Sequence, residues 1–363
     1  MFYEWVYPLH HTHGLSALNV FRYITFRAAY AAITALMVCY WLGPPMIEWL
    51  RRVKLGQKIR AEGPQSHLAK AGTPTMGGIL IVTAIVVPTL LWGNFHSLAV
   101  WLALLATVWL GTLGFLDDYL RVVRGLPKGL LGRYKLAGQI TLGLVIGAAI
   151  LIWPEQGFPV TATHVPFLKF RFVDFGWLFV PFVVLVITGS SNAVNLTDGL
   201  DGLASGLVSI AALTFAGMCY LSGHARFSSY LHIDYLPYSG ELTVFCAAVL
   251  GASLGFLWYN CHPADVFMGD TGSLALGGAL GTVAILIKRE LWLVLVGGVF
   301  VAETLSVMLQ VASFRLWGRR IFKMSPLHHH FELLGWPESR VVLRFYIVGA
   351  LLAMLSLSTF KLQ

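Results

Sequence analysis

Long apolar segments recur along the whole of this 363-residue sequence, and they constrain its fold more than any other feature. A helix needs about 20 mostly apolar residues to cross the hydrocarbon core of a bilayer. On that criterion the sequence predicts ten membrane spans, at residues 21–42, 76–93, 98–116, 136–153, 177–194, 203–222, 241–259, 271–287, 291–313 and 341–360. Only 12% of the residues are charged, against about 25% in soluble globular domains. The prediction is an all-α polytopic membrane protein that forms a single integral membrane domain over residues 1–363.

The distribution of Lys and Arg predicts how these spans are oriented, because positive residues are retained in cytoplasmic loops. The connections after the first, third and ninth predicted spans hold 17 of the 25 Lys and Arg residues. These are Arg51, Arg52, Lys54, Lys58, Arg60, Lys70, Arg121, Arg124, Lys128, Arg133, Lys135, Arg315, Arg319, Arg320, Lys323, Arg340 and Arg344. With ten spans, all three connections fall on one side. That side is predicted to be cytoplasmic, and both termini are predicted to be periplasmic.

A pair of carboxylates, Asp117 and Asp118, follows the third predicted span at its cytoplasmic end. The span itself is uncharged from Ala99 to Leu116. Adjacent carboxylates repel each other unless a cation joins them, which favours a metal site. Solvated interfacial charge is the alternative interpretation.

The short connection after the fifth span contains Asn195, Asp198 and Asp201 among glycines, in the order NLTDGLDG. Asp198 and Asp201 are three residues apart, so one helical turn would bring both onto one face. The same residue types also form ordinary turns, which is the alternative.

Asp270 precedes the glycine-rich eighth span on the same predicted side. It is expected to cap the helix that begins there, and a capping carboxylate can still offer an oxygen to a metal ion. Asp265, five residues earlier, is expected to be ordinary loop charge.

Three consecutive histidines, His328, His329 and His330, follow the ninth span. Consecutive residues on a helix point in different directions, so at most two of them are expected to reach a common ligand. No cysteine or carboxylate lies at zinc spacing from them.

Within the ninth span, Glu303 is energetically unfavourable in lipid and needs a partner or water. It is expected either to mark a break in the helix or to form a buried hydrogen bond.

Five carboxylates from three connections are therefore predicted to meet at one membrane face, namely Asp117, Asp118, Asp198, Asp201 and Asp270. Oxygen ligands without thiolates suit Mg²⁺, and Mn²⁺ also fits such a site. Lys70, in the segment KAGTPTMGG, is a candidate to neutralise phosphate. A metal ion together with cationic side chains is what phosphoryl transfer requires.

These motifs together resemble a known enzyme family. The resemblance rests on the Asp117–Asp118 pair, NLTDGLDG from Asn195, FMGDTGSLALGG from Phe267 and PLHHHFE from Pro326. The family is the polyprenyl-phosphate N-acetylhexosamine-1-phosphate transferases. The histidine triplet and GTPTMGG resemble its phospho-N-acetylmuramoyl-pentapeptide transferase branch in particular.

The resemblance implies an activity and a set of site residues. The implied reaction transfers phospho-N-acetylmuramoyl-pentapeptide from UDP-N-acetylmuramoyl-pentapeptide to undecaprenyl phosphate, giving lipid I and UMP for peptidoglycan synthesis in the bacterial inner membrane. It implies Mg²⁺ bound by Asp270, with Asp117, Asp118 and Asp270 catalytic. The residues implied to contact substrate are Lys70, Asn195, Asp198, Asp201, Asn260, Phe267, His328, His329 and His330.

Several alternatives remain open at this point. Within the family, the donor is alternatively UDP-N-acetylglucosamine. In another class, an ion-coupled transporter would also place acids inside a membrane. The lipid phosphate is expected to attack directly, although a covalent phospho-enzyme on Asp117 is the alternative. The expected partners are the two substrates and the lipid bilayer, with no nucleic acid. The oligomeric state is open, with a homodimer as one alternative.

Overall fold

The computed structural model describes residues 1–10, 16–53, 72–154, 158–168 and 171–361. The helices are α1 (Ile24–Arg52), α2 (Gly78–Trp92), α3 (Leu98–Val122), α4 (Gly132–Ile152), α5 (Phe179–Thr197), α6 (Leu203–Gly223), α7 (Ala225–Leu231), α8 (Ser239–Asn260), α9 (Gly269–Leu286), α10 (Glu290–Val296), α11 (Gly298–Trp317), α12 (Leu327–Glu332) and α13 (Glu338–Phe360). Short π- or 3₁₀-helical turns cover Phe2–Val6, Ser16–Arg22 and Gly176–Leu178. Two strands, β1 (Ala162–His164) and β2 (Phe172–Asp174), pair antiparallel, and the sequence patterns did not predict this hairpin.

The predicted all-α polytopic architecture is confirmed. Nine helices within the described ranges are long and apolar enough to cross a membrane, and they are α1, α3, α4, α5 with its preceding turn, α6, α8, α9, α11 and α13. The remaining predicted span corresponds to α2, which is apolar but only 15 residues long. At about 1.5 Å per residue, α2 is shorter than a hydrocarbon core of about 30 Å.

The ninth predicted span is divided in two. The helix α10 ends at Val296, and α11 begins at Gly298. The division falls at the adjacent glycines Gly297 and Gly298, which have low helix propensity. Glu303 therefore does not mark the break, because it lies within the continuous part of α11.

The centre of the fold is α9. Every residue from Thr271 to Leu286 is buried, and α9 packs against α2, α3 and α5. Many of its residues are glycine, alanine or serine, and such small side chains let membrane helices approach closely. The N-terminal end of α9 is consequently surrounded by the ends of several other helices.

Two glycines on neighbouring helices allow the closest of these approaches. A Cβ atom at Gly114 of α3 would lie 2.2 Å from the carbonyl oxygen of Asp270, and one at Gly78 of α2 would lie 2.0 Å from the backbone nitrogen of Gly272. Backbone atoms cannot give way as a flexible side chain can. Glycine is thus required at both positions for α2 and α3 to reach the beginning of α9.

We expect Gly114→Ala to destabilise the protein by about 1–3 kcal/mol, because the added methyl group overpacks a backbone contact. It should also lower activity, since the contact atom belongs to Asp270. Gly189→Ala in α5 is the matched control, because a Cβ there meets no atom within 4 Å. Thermal unfolding of both variants in detergent tests the expectation. Equal stability of the two variants would contradict it.

Two contacts show at which end of the helix bundle α1 begins and α13 ends. Near the start of α1, Arg27 donates two hydrogen bonds to Glu241, at 2.7 and 2.6 Å. Near the end of α13, the ring of Phe360 lies 5.4 Å from the Arg289 guanidinium. Both contacts lie at the bundle end opposite Asp270. The beginning of α1 and the end of α13 therefore share one end of the fold, and the assignment of that end to the periplasm stays a prediction.

Candidate active site

Asp118 binds the beginning of α9. Its Oδ1 accepts a hydrogen bond from the backbone N–H of Asp270 at 3.1 Å, while Oδ2 accepts from the backbone N–H and the hydroxyl of Thr271 at 2.9 and 2.7 Å. The first N–H groups of a helix lack partners within the helix and favour negative charge. The expectation that Asp270 caps α9 is therefore wrong, because the capping carboxylate comes from α3.

Asp117 and Asp270 share two cationic side chains. Lys135 Nζ donates to Asp270 Oδ2 at 2.6 Å and lies 3.9 Å from Asp117 Oδ2. Arg121 donates to Asp117 Oδ2 at 2.8 Å and lies 3.8 Å from Asp270 Oδ1. Asp117 also accepts the backbone N–H of Leu130 at 2.5 Å. Two neighbouring buried carboxylates need opposite charges or hydrogen-bond donors of this kind to stabilise them.

The last turn of α5 and the residue that follows it complete this group. Asn195 Nδ2 donates to Asp270 Oδ1 at 3.0 Å and to the Ser273 hydroxyl at 2.8 Å. Burial and the negative charge of nearby carboxylates, Asp270 foremost, raise the pKa of Asp198 to about 8. A cation in this region would favour the ionised form of Asp198.

Asp201 belongs to a second polar group. Because α5 ends at Thr197, Asp198 and Asp201 do not lie on one helical turn, contrary to the prediction. Asp201 Oδ2 lies 3.2 Å from His262 Nδ1 and accepts the backbone N–H of Ala264 at 3.2 Å. The backbone N–H of Asp201 donates to Glu338 at 2.7 Å. These contacts tie the turn after α5 to the loop after α8 and the start of α13.

The two polar groups differ in how closely their potential metal-ligating atoms approach one another. Within the ranges that the structure describes, one set of three His, Cys, Asp or Glu side chains has ligating atoms that all lie within 4.8 Å of one another. This set is Asp201, His262 and Glu338. The carboxylates around Asp270 instead have Lys135 and Arg121 between them. The second group includes an imidazole, whereas the first offers oxygen ligands alone.

Asn260 uses its side chain to join two loops. Its Oδ1 accepts hydrogen bonds from the backbone N–H of Gly202 and the hydroxyl of Ser205, both at 3.1 Å. Its Nδ2 donates to the carbonyl of Val266 at 3.0 Å. Asn260 is also buried. The contact with substrate that the resemblance implied for Asn260 stays a prediction, and the side chain has a structural role in addition.

Phe267 hydrogen-bonds through its backbone to the segment from Pro74 to Gly77. Its backbone N–H donates to the carbonyl of Pro74 at 2.8 Å, and its carbonyl accepts the N–H of Gly77 at 2.9 Å. Phe267 is half-buried. Lys70 lies outside the described residues.

The three histidines of α12 have three different partners. Their Nδ1 atoms lie, in chain order, 3.3 Å from Glu303, 2.8 Å from Glu332 and 3.1 Å from the backbone nitrogen of Lys323. The three rings therefore point in different directions, as expected for consecutive residues on a helix, and the expectation that at most two of them reach a common ligand stays a prediction. Glu303 also accepts the backbone N–H of His328 at 3.2 Å, so it is a buried hydrogen-bonding residue.

Comparison with known proteins assigns this chain to a family. The model of glycosyl transferase family 4 matches residues 100–288, and signature 1 of the phospho-N-acetylmuramoyl-pentapeptide-transferases matches residues 70–82. Proteins with that name from Thermodesulfovibrio yellowstonii, Citrifermentans bemidjiense and Syntrophus aciditrophicus are 51%, 52% and 50% identical to this chain. Each alignment covers 100% of both chains.

The chain belongs to the phospho-N-acetylmuramoyl-pentapeptide-transferase family. This membership decides between the transferase and the ion-coupled transporter in favour of the transferase. The intramembrane acid that suggested a transporter, Glu303, has a partner in His328.

Sequence reasoning about this transferase missed two of the side chains nearest Asp270. From the sequence, Lys135 and Arg121 were interpreted only as loop charges that indicate how the spans are oriented. Arg121 lies four residues after Asp117 on the same helix, a spacing that predicts a contact. Lys135 belongs to another helix, and no local pattern links it to Asp270. Glu338 and His262, which contact Asp201, likewise carried no recognisable signal.

Proposed function

We propose that this transferase moves phospho-N-acetylmuramoyl-pentapeptide from UDP-N-acetylmuramoyl-pentapeptide to undecaprenyl phosphate, forming lipid I and UMP. The observation that carries the proposal is the alternation of Asp117 and Asp270 with Lys135 and Arg121 at one end of the membrane helices. At that level a phosphate carried by a membrane lipid and a water-soluble nucleotide can meet. Family membership supports the substrate class.

We propose Mg²⁺ as the cofactor, with Asp270 as its principal ligand and Asp117 and Asp198 nearby. The residues fit such an ion, because they offer carboxylate oxygens from three helix ends and no thiolate. Burial, and after it the charge of neighbouring carboxylates, raises the pKa of Asp198, and a bound cation would favour its ionised form. Bound there, Mg²⁺ would supply positive charge to the diphosphate of the nucleotide. Mn²⁺ fits the same donors, whereas the imidazole makes the Asp201 group less suited to Mg²⁺.

In the proposed reaction, a phosphate oxygen of the lipid attacks the β-phosphorus of the nucleotide. A new P–O bond forms, the bond to UMP breaks, and UMP leaves with the electron pair. Lys135 and Arg121 are suited to stabilise the negative charge on the phosphates, as cationic side chains do in other phosphoryl transfers. A phosphate monoester with a second pKa near 6 is mostly a dianion at neutral pH, so the attacking oxygen needs little help from a base. We therefore favour direct attack over a phospho-enzyme on Asp117.

We propose that the end of the bundle with Asp270 faces the cytoplasm of a bacterium, in its inner membrane. The support is the basic residues at this end, including Arg51, Arg52, Arg121 and Lys135, which agree with retention of positive charge inside. The nucleotide substrate is also a cytoplasmic molecule. The substrate contacts that we propose are those that the resemblance implies, namely Lys70, Asn195, Asp198, Asp201, Asn260, Phe267, His328, His329 and His330. Asp118 contributes by holding the beginning of α9 in place.

Release of UMP by purified protein tests the proposed function. With Mg²⁺ and undecaprenyl phosphate, we expect UDP-N-acetylmuramoyl-pentapeptide to be used with a kcat/KM at least about 100-fold above that for UDP-N-acetylglucosamine, because a site built for one polar substrate discriminates strongly against another. Equal or better use of UDP-N-acetylglucosamine would contradict the assignment. Without the lipid we expect no UMP, and a stoichiometric release there would contradict direct attack.

A further inference from the structure

Glu303 and His328 form a buried pair between α11 and α12. Both residues are 0% exposed. One carboxylate oxygen, Glu303 Oε1, accepts the backbone N–H of His328 at 3.2 Å and lies 3.3 Å from Nδ1 of its ring. An acidic residue within a membrane helix is expensive and needs such a partner. The same oxygen thus contacts both the first turn of α12 and the imidazole that this turn carries.

The opposite edge of the imidazole faces the turn that contains Asp198. A Cβ atom at Gly199 would lie 2.2 Å from His328 Nε2, so the ring packs directly against the Gly199 backbone. Gly199 follows Asp198, whose carboxylate lies in the electrostatic field of Asp270. His328 therefore stands between a charge inside the membrane helix and the loop at the candidate active site.

The other two histidines do not make this connection. His329 pairs with Glu332 of its own short helix, and His330 accepts a hydrogen bond from the backbone of Lys323. Neither Nδ1 partner belongs to α5 or to the turn that follows it. Among the Nδ1 contacts of the three rings, that of His328 is the one to a carboxylate on a different helix.

We infer that Glu303 is a positioning residue for the transfer reaction, which acts by orienting the His328 ring so that its Nε2 edge supports the Asp198–Gly202 turn. A carboxylate beside Nδ1 restricts the orientation of an imidazole ring. The ring then determines how closely the turn can approach the first turn of α9. The inference rests on the proposed function, because turnover is its readout. It assigns a role to an acid that contacts neither the substrates nor the cluster around Asp270.

Glu303→Gln tests the inference with little change in volume. Its carbonyl can still accept the His328 N–H, but the negative charge beside Nδ1 is lost. We expect kcat to fall by about 10- to 100-fold, since displacement of a reacting group by about 1 Å costs up to about 10²-fold. The KM values for both substrates should stay within about 3-fold, because Glu303 itself is not among the proposed substrate contacts. An unchanged kcat would overturn the inference.

A double-mutant cycle separates this role from general destabilisation. If Glu303 acts through His328, the variant with both Glu303→Gln and His328→Asn should be no slower than His328→Asn alone. Additive losses would overturn the inference. Glu241→Gln is the matched control, because it removes the charge of a poorly exposed carboxylate at the opposite end of the bundle. It should lower thermal stability and leave kcat unchanged, and a kcat loss equal to that of Glu303→Gln would also overturn the inference.

Two further results keep the inference distinct from the proposed function. If the wild-type protein releases no UMP from either UDP-sugar, the proposed function fails. If the wild type turns over and Glu303→Gln equals it, only the role of Glu303 fails. Should Glu303→Gln not fold, Gly199→Ala approaches the same contact from the loop, because its new methyl group must displace the His328 ring. A folded Gly199→Ala variant with the kcat of the wild type would overturn the inference.

Discussion

Asp270→Asn is expected to lower turnover by about 10³-fold or more in a protein that still folds and inserts into membranes. Asparagine has nearly the same shape, so the contacts with Asn195 and with α9 can largely persist. The lost charge is what joins Lys135 to the cluster, through the 2.6 Å hydrogen bond, and what would hold Mg²⁺. Removing one preorganised electrostatic group from an active site commonly costs about 10²–10³-fold, and loss of the metal adds to this.

Activity at saturating Mg²⁺ and the binding of Mn²⁺, followed by its paramagnetic signal, measure this effect. Asp265→Asn is the matched control, because Asp265 lies five residues earlier and its side chain is 62% exposed. It should retain both activity and Mn²⁺ binding. Near-normal activity of Asp270→Asn would show that the metal is held elsewhere. The group formed by Asp201, His262 and Glu338 would then be the next to test, by Asp201→Asn.

Asp118→Asn is expected to destabilise the protein by about 2–4 kcal/mol and to abolish most activity as a consequence. Both carboxylate oxygens of Asp118 accept hydrogen bonds, from three donors at the start of α9. In asparagine one of these oxygens becomes an NH₂ group, which must face N–H or O–H donors. A buried donor left without an acceptor costs about 1–3 kcal/mol, and the helix also loses a charged cap.

Asp117→Asn provides the comparison that separates the two neighbours. Asp117 accepts hydrogen bonds from Arg121 and Leu130 but does not cap a helix. We expect it to lose activity with a smaller loss of stability than Asp118→Asn. Thermal unfolding in detergent, alongside UMP release, measures both quantities. If Asp117→Asn proved the less stable variant, the assignment of Asp118 as the residue that positions α9 would be wrong.

The spans were predictable because lipid imposes a strong and local requirement. Each crossing needs a continuous run of apolar residues, and such runs are visible without knowledge of their neighbours. Their predicted boundaries differ from the observed helices by a few residues at most ends, since a hydropathy pattern records the apolar part of a helix rather than its caps. The extension of α3 to Val122, beyond the predicted limit at residue 116, brings Asp117 and Asp118 into the helix itself.

Apolar runs and short motifs were enough to predict a polytopic helical membrane protein, the segments that carry its chemistry and the family that it resembles. How Asp117, Asp118 and Asp270 divide their contacts became known from the packed helices. Asp118 caps α9 from α3, while Asp270 turns toward Lys135 of α4, and these partners are 153 and 135 residues apart in sequence. Local patterns report the spacing of residues along one helix, whereas these contacts depend on how closely separate helices pack. Glycines such as Gly114 permit that packing, but the partner that fills the space is known only once the helices are assembled.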